Sequence, residues 1–103
     1  MIRSLLTFSP AAEDVPALLE LYRRLDILST SLRHTRQIRS DIAVAADGSG
    51  TVLVTADWPD AAAYTEWLEH PVRGRFAPEL QELLGRRVGE GALYQVDHGA
   101  SRG

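Results

Sequence analysis

With 103 residues, 45% of them hydrophobic and 24% charged, the chain has the make-up of one globular domain, too small to hide all its apolar surface without a partner. Its net charge of −3 speaks against a nucleic-acid binder, which gathers a basic excess on one face, and all eleven basic residues are Arg. The absence of cysteine excludes disulfides, thiolate nucleophiles and Cys-type metal sites and fits a reducing cytoplasm, while no apolar run is long enough to cross a bilayer.

Residues 2–8 alternate, with Ile2, Ser4, Leu6 and Phe8 on one side and Arg3, Leu5 and Thr7 on the other, and read as a first strand rather than a secretory signal. From Asp14, an expected N-cap with Pro16 in the first turn, Val15, Leu18, Leu19, Tyr22 and Leu25 recur at helical spacing and predict a helix to about Leu28. Ser29, Thr30 and Ser31 form a polar break, after which the alternation of residues 36–44 predicts a long second strand. The Asp47-Gly48-Ser49-Gly50 turn then implies a hairpin with residues 51–58. Asp60 is the expected cap of a second helix carrying Tyr64, Trp67 and Leu68, ended by His70-Pro71. Phe76, Leu80, Leu83 and Leu84 mark a third, short helix stopped by Gly85, and residues 91–97 alternate as a last strand.

Strand, helix, strand, strand, helix pair, strand is the order of a split βαβ, or ferredoxin-like, α+β fold: a four-stranded antiparallel sheet with helices on one face. It predicts one domain over residues 1–98 and a frayed tail over 99–103. On the uncovered face, Leu5, Leu53 and Leu93 are expected to lie with Thr7, Thr51 and Thr55, too apolar for water alone. A homodimer with an isologous twofold contact resolves this.

The stretch from Thr51 through Trp58-Pro59-Asp60-Ala61 to Tyr64, Trp67 and Leu68 resembles the antibiotic-biosynthesis monooxygenase family of dimeric α+β barrels. In that family the third strand ends in Trp and is followed by a Ser/Pro-Asp/Glu-x-Ala turn and an aromatic-bearing helix. His70-Pro71-Val72-Arg73 is similar to the short break before the family's third helix. The topological resemblance spans nearly the whole chain; the motif covers about a fifth of it. It implies a homodimer whose two sheets pack into a barrel, with a pocket between each sheet and its helices.

The resemblance implies two kinds of activity. Quinone-forming, cofactor-independent oxygenases of aromatic polyketide pathways use the strand-ending Trp, an Asn four residues before it and a Tyr on the next helix; Trp58 and Tyr64 match, and the Asn position holds Val54. Heme-degrading members use an Asn near Thr7, a Trp at Trp67 and a His at the position of Ala77; only the Trp is present, so that role is not expected. The reading is therefore a monooxygenase that oxidises an aromatic phenol to a quinone without a cofactor. A polyketide cyclase and a non-catalytic small-molecule-binding module are the alternatives.

Trp58, Tyr64 and His70 are the candidate catalytic residues, and Val54, Trp67, Phe76 and Arg73 the candidate substrate contacts. Large aromatics on apolar faces also serve as core, and Trp58 can be both core and pocket wall. His70 is singled out because a helix break beside a pocket-lining helix often faces the cavity; Arg73 and Arg75 could meet an anionic group beside it. His34, His70 and His98 have no partners at ligand spacing, so no metal site is expected. No Gly-rich phosphate loop, nucleophile elbow or Ser-x-x-Lys pair occurs, and the expected partners are a second copy and a hydrophobic aromatic molecule, with no nucleic acid or membrane.

Overall fold

A computed structural model describes residues 1–85, 87 and 89–102. Its elements are β1 (Ile2–Phe8), α1 (Val15–Arg24), α2 (Ile27–His34), β2 (Arg39–Val44), β3 (Val52–Trp58), α3 (Ala61–Glu69), α4 (Ala77–Leu84) and β4 (Glu90–Gln95), with single 3₁₀ turns at Ala12–Asp14 and Arg73–Arg75. The four strands form one antiparallel sheet in the order β2-β3-β1-β4, the ferredoxin-like order expected from the sequence.

Several local signals act as expected. Asp60 adopts extended backbone and its carboxylate accepts the Ala63 amide at 2.9 Å, capping α3. In the hairpin, Asp47 Oδ1 accepts the Ser49 amide at 2.9 Å and Gly48 takes φ +77°, which closes the turn onto the Ala45–Thr51 backbone bond. Gly85 ends α4 at φ +55°.

The first crossover differs from its expectation. Asp14 makes no side-chain cap bond, and the single helix expected to reach Leu28 stops at Arg24. Asp26 turns into the left-handed region (φ 53°, ψ 44°), and the polar stretch expected to be a break lies inside α2. Helix survives there because Ile27 and Ser31 are buried against the core, and the hydroxyls find acceptors within it: Ser31 Oγ donates to the Leu28 carbonyl at 2.9 Å and Thr35 Oγ1 to that of Ser31 at 2.6 Å. The second strand is correspondingly short. Ile38 still pairs with Asp57 (2.8 Å), but Gln37 leaves the alternation to bury its amide against Ser31. The last strand begins one residue earlier than expected, and beyond Gln95 one ladder bond remains, from the Val96 amide to the Met1 carbonyl. Residues 96–102 form no helix or strand, and Gly103, the end of the expected tail, lies outside the described residues.

Strand register sorts the side chains into two faces. Ser4, Leu6, Phe8, Val52, Val54, Ala56 and Trp58 point toward the helices, where Phe8, Leu18, Tyr22, Val52, Phe76 and Leu84 form the main core and Ala56, Trp58 and Ala63 a second one. Leu5 pairs with Thr55 and Thr7 with Leu53 on the open face, as expected. Leu93 does not join them: it pairs with Ser4, on the helix face, and Glu90, Ala92 and Tyr94 are the β4 residues of the open face. The alternation of β4 was legible, but not its register against β1, which decides the face.

The open face carries an ionic clamp. Asp57, its side chain only 4% exposed, accepts Arg3 Nε at 2.7 Å and Arg3 Nη2 at 3.2 Å from β1, and Arg39 Nη1 at 2.9 Å from β2. Arg39 also pairs with Asp41, whose other oxygen accepts Thr55 Oγ1 at 2.6 Å. One carboxylate thus ties three strands together.

Candidate functional site

Between the sheet and its helices lies a cavity of about 350 Å³, within the range of small-molecule sites. The sheet supplies Ser4, Leu6, Phe8, Ser40, Val54, Ala56 and Trp58 as its floor. Tyr22 of α1, Ile27, Leu28 and Ser31 of α2, Tyr64, Trp67 and Leu68 of α3, and Phe76, Leu80 and Leu84 around α4 form the roof, with Gln37 and Arg73 at the margins. Gly89 lets the chain pass beside the cavity: a Cβ there would lie 2.9 Å from the Thr7 carbonyl oxygen.

The structure brings six of the seven candidate residues together. Trp58, Tyr64, Val54, Trp67, Phe76 and Arg73 all line the cavity. Trp58 is fully buried and still forms part of the wall, so its core and pocket roles coincide. Its indole Nε1–H donates to Ser4 Oγ at 3.0 Å in a buried bond, which sets the ring plane, and Tyr64 packs edge-on against it at 5.5 Å and 69°. The Tyr64 hydroxyl reaches the β4 edge, 3.4 Å from where a Cβ at Gly91 would stand.

His70 is placed differently. It is absent from the cavity lining and lies between His34 (ring centroids 5.4 Å) and Trp67 (6.3 Å). Its Nδ1 accepts the Val72 amide at 3.1 Å, so the lone pair that a base would use is already engaged and a neutral ring carries its proton on Nε2. The helix break that drew attention to His70 uses the imidazole to cap the following turn.

Five polar residues that spacing did not single out also line the cavity, among them Gln81 of α4, whose amide donates to the Gly85 carbonyl. Ser4 holds the indole; Ser31, Gln37 and Ser40 gather at the β2 side. Tyr22, read as core from its helical spacing, presents a phenol whose pKa is pushed up to about 12 by burial, with the positive charge of Arg73 opposing the rise. At neutral pH Tyr22 is therefore a hydrogen-bond donor beside a cation, a pairing suited to an anionic oxygen. The raised pKa has a stability consequence. Above pH 10 an unfolded tyrosine ionises while folded Tyr22 holds its proton to about 12, so stability falls as pH rises through that window, by up to about 3 kcal/mol. Urea unfolding on either side of pH 10 should show this loss in the native chain and a flatter profile in Tyr22→Phe.

Among the described residues no group of three or more His, Asp or Glu side chains is arranged to hold a metal ion, and no helix is long and apolar enough to cross a membrane.

No protein-family model matches the sequence, and no curated protein matches it. Solved structures do. A Deinococcus radiodurans protein provisionally named an antibiotic biosynthesis monooxygenase superposes with a TM-score of 0.79 at 18% identity, over 99% of this chain and 98% of that one. The chain has its fold. A second structure, named an antibiotic biosynthesis monooxygenase, gives a TM-score of 0.75 at 20% identity over 95% of this chain and 100% of its own. A NIPSNAP domain protein of Burkholderia xenovorans, described as uncharacterized, gives 0.72 at 18% over 99% of this chain and all of its own. The monooxygenase-named neighbours agree with the family that the 51–68 stretch resembles, while the third shows that the same architecture also carries another family name. A shared fold does not fix the chemistry, which lies with the residues of the cavity.

Proposed function

We propose that the chain binds a flat, largely apolar aromatic molecule between sheet and helices and oxidises it with dioxygen as a cofactor-independent monooxygenase, converting a polyketide-type phenol to a quinone in a secondary-metabolite pathway. The observation that carries this reading is the Trp58–Tyr64 pair: a buried indole locked by Ser4, with an edge-on phenol, facing a cavity of about 350 Å³. Offset and edge contacts of this kind hold a planar ring in one orientation.

In this reading the substrate supplies all the electrons. A phenol with an activated benzylic CH₂ first loses a proton; Arg73, exposed at the cavity margin, stabilises the resulting anion with the Tyr22 hydroxyl and lets the proton leave to water. The anion then reduces dioxygen. Overall the CH₂ gives up both hydrogens and four electrons, one oxygen atom becomes the new carbonyl and the other leaves as water. The apolar walls keep bulk water from the reactive intermediate. A second copy of the chain covers the open face in the proposed homodimer, over Leu5, Leu53, Ala92 and Tyr94, the last 55% exposed in the single chain.

The position expected to hold an amide beside the aromatic pair is Val54, which favours a second reading in which the same cavity folds a poly-β-ketone and proton transfer suffices. Oxygen uptake with anthrone separates the two. The expected result is one dioxygen consumed per anthrone at a rate well above the spontaneous one. No uptake above background at saturating anthrone overturns the oxygenase; a cyclised polyketide product formed without oxygen indicates the cyclase, and binding without turnover a binding module.

A further inference from the structure

At the β2 end of the cavity, Gln37 is a neutral amide only 8% exposed, in contact with Ser31, which is 3% exposed. Ser31 Oγ lies 2.9 Å from the Leu28 carbonyl and 3.1 Å from the Gln37 side chain, both as acceptors. A hydroxyl has one proton and cannot serve both. Exchanging the oxygen and nitrogen of the amide, which occupy equivalent positions, resolves this: Ser31 donates to Leu28 and accepts from the Gln37 NH₂. Apart from this contact with Ser31, the Gln37 side chain makes no hydrogen bond to a described residue. No fully buried side-chain nitrogen or oxygen among those residues is left without a partner, so the free end of the amide keeps some exposure, and Gln37 lines the cavity at its margin. Ser40 borders the same cavity, and its hydroxyl makes no hydrogen bond to another described residue.

Such an amide in an apolar cavity is costly to leave unmatched and can both donate and accept. It sits over the edge strand β2, whereas the Tyr64 hydroxyl reaches β4, the opposite edge. The two edges are three strand spacings, about 14 Å, apart at the backbone, and the side chains reach inward from each. We infer that Gln37 and Ser40 form a subsite for a neutral oxygen substituent, a keto or hydroxyl group, so that the ligand is a fused aromatic oxygenated at both ends. This rests on the aromatic-binding reading above and deepens it. The hydrogen bonding that Val54 cannot provide from the middle of the sheet enters from its edge.

Calorimetric titration with 2,6-dihydroxynaphthalene, 2-naphthol and naphthalene tests the subsite on the native chain and on Gln37→Met, which keeps the side-chain length and leaves Ser31 bonded to Leu28. The expected result is that the second hydroxyl tightens binding by about fivefold to tenfold in the native chain. Gln37→Met should lose that gain while binding naphthalene as before, and Ser40→Ala should lose part of it. Equal affinity for the diol and 2-naphthol in the native chain, or an unchanged preference in Gln37→Met with its thermal unfolding intact, overturns the subsite and leaves aromatic binding standing. If none of the three binds, the aromatic reading falls and the subsite with it. If Gln37→Met unfolds, Ser40→Ala with the same three ligands decides, and an unchanged preference there overturns the assignment.

Discussion

Trp58→Ala is expected to lower the unfolding free energy by about 3–5 kcal/mol, the range for removing a large aromatic from a close-packed interior. The residue is fully buried, packs with Ala56 and Ala63, and is held by a buried bond to Ser4, so its site has little freedom to collapse. Trp58→Phe separates packing from hydrogen bonding. A phenyl ring fills most of the volume but leaves the Ser4 hydroxyl buried without its donor, a cost of about 1–3 kcal/mol. Removing both partners in Trp58→Phe/Ser4→Ala should recover part of this, because no polar group is then stranded. Urea unfolding of the three variants beside anthrone oxidation gives the functional half: with the fold retained, Trp58→Phe should still lower turnover, since the ring proposed to orient the substrate has changed shape. Unchanged stability together with unchanged turnover in Trp58→Phe would remove the indole from both roles.

The second large effect concerns the clamp around Asp57 and is asymmetric. Asp57→Ala leaves Arg39 paired with Asp41 and Arg3 with a side chain 41% exposed in the single chain, so neither guanidinium is stranded in a dry interior. Arg3→Met/Arg39→Met instead strands a carboxylate that is 4% exposed, which costs about 3–5 kcal/mol at neutral pH. The sign of the pH dependence should invert as well. In the native chain the hydrogen bond from Arg3, followed by that from Arg39, holds the Asp57 pKa below its ordinary value against the desolvation that would raise it. A lowered folded pKa stabilises above the unfolded value, and that stability is lost as pH falls through the folded pKa. With both guanidiniums gone, desolvation alone acts and the pKa rises, so the double variant should become less stable as pH climbs through the carboxylate range, where the native chain gains. Unfolding midpoints across acid to neutral pH read both slopes; parallel slopes would show that the clamp does not control Asp57.

What could be read from the chain alone was whatever is settled by neighbours in sequence. Asp60 as a cap, the Asp47–Gly50 turn, Gly85 as a helix stop and the alternation of β1 and β3 depend on a few adjacent residues, and each lies where expected. From these the strand order followed. Choices made by distant partners were not legible. Ser29, Thr30 and Ser31 are a poor helix interior by propensity, yet α2 runs through them because Ile27 and Ser31 are buried against the core. Leu93 changed face because pairing with β1, not its own alternation, sets its side.

The site divides in the same way. The aromatic members stood out because Trp58 and Tyr64 bracket the cap of α3, a local pattern. Ser31, Gln37 and Ser40 are ordinary polar residues in sequence, and only the packing of α2 over β2 makes them a polar end to an apolar cavity. His70 shows the converse. Its position at a helix break was informative, but the break itself employs the imidazole through the Val72 amide.

The chain holds two tryptophans, and Trp58 and Trp67 both line the cavity. All indole emission from this protein therefore originates in the wall of one chamber, and none of it reports from elsewhere on the surface. Trp58 is shielded and bonded, while Trp67 is partly accessible and flanked by His70, so the two should differ in colour and in quenching by solutes. The molecule carries its own optical gauge of what occupies the space between sheet and helices.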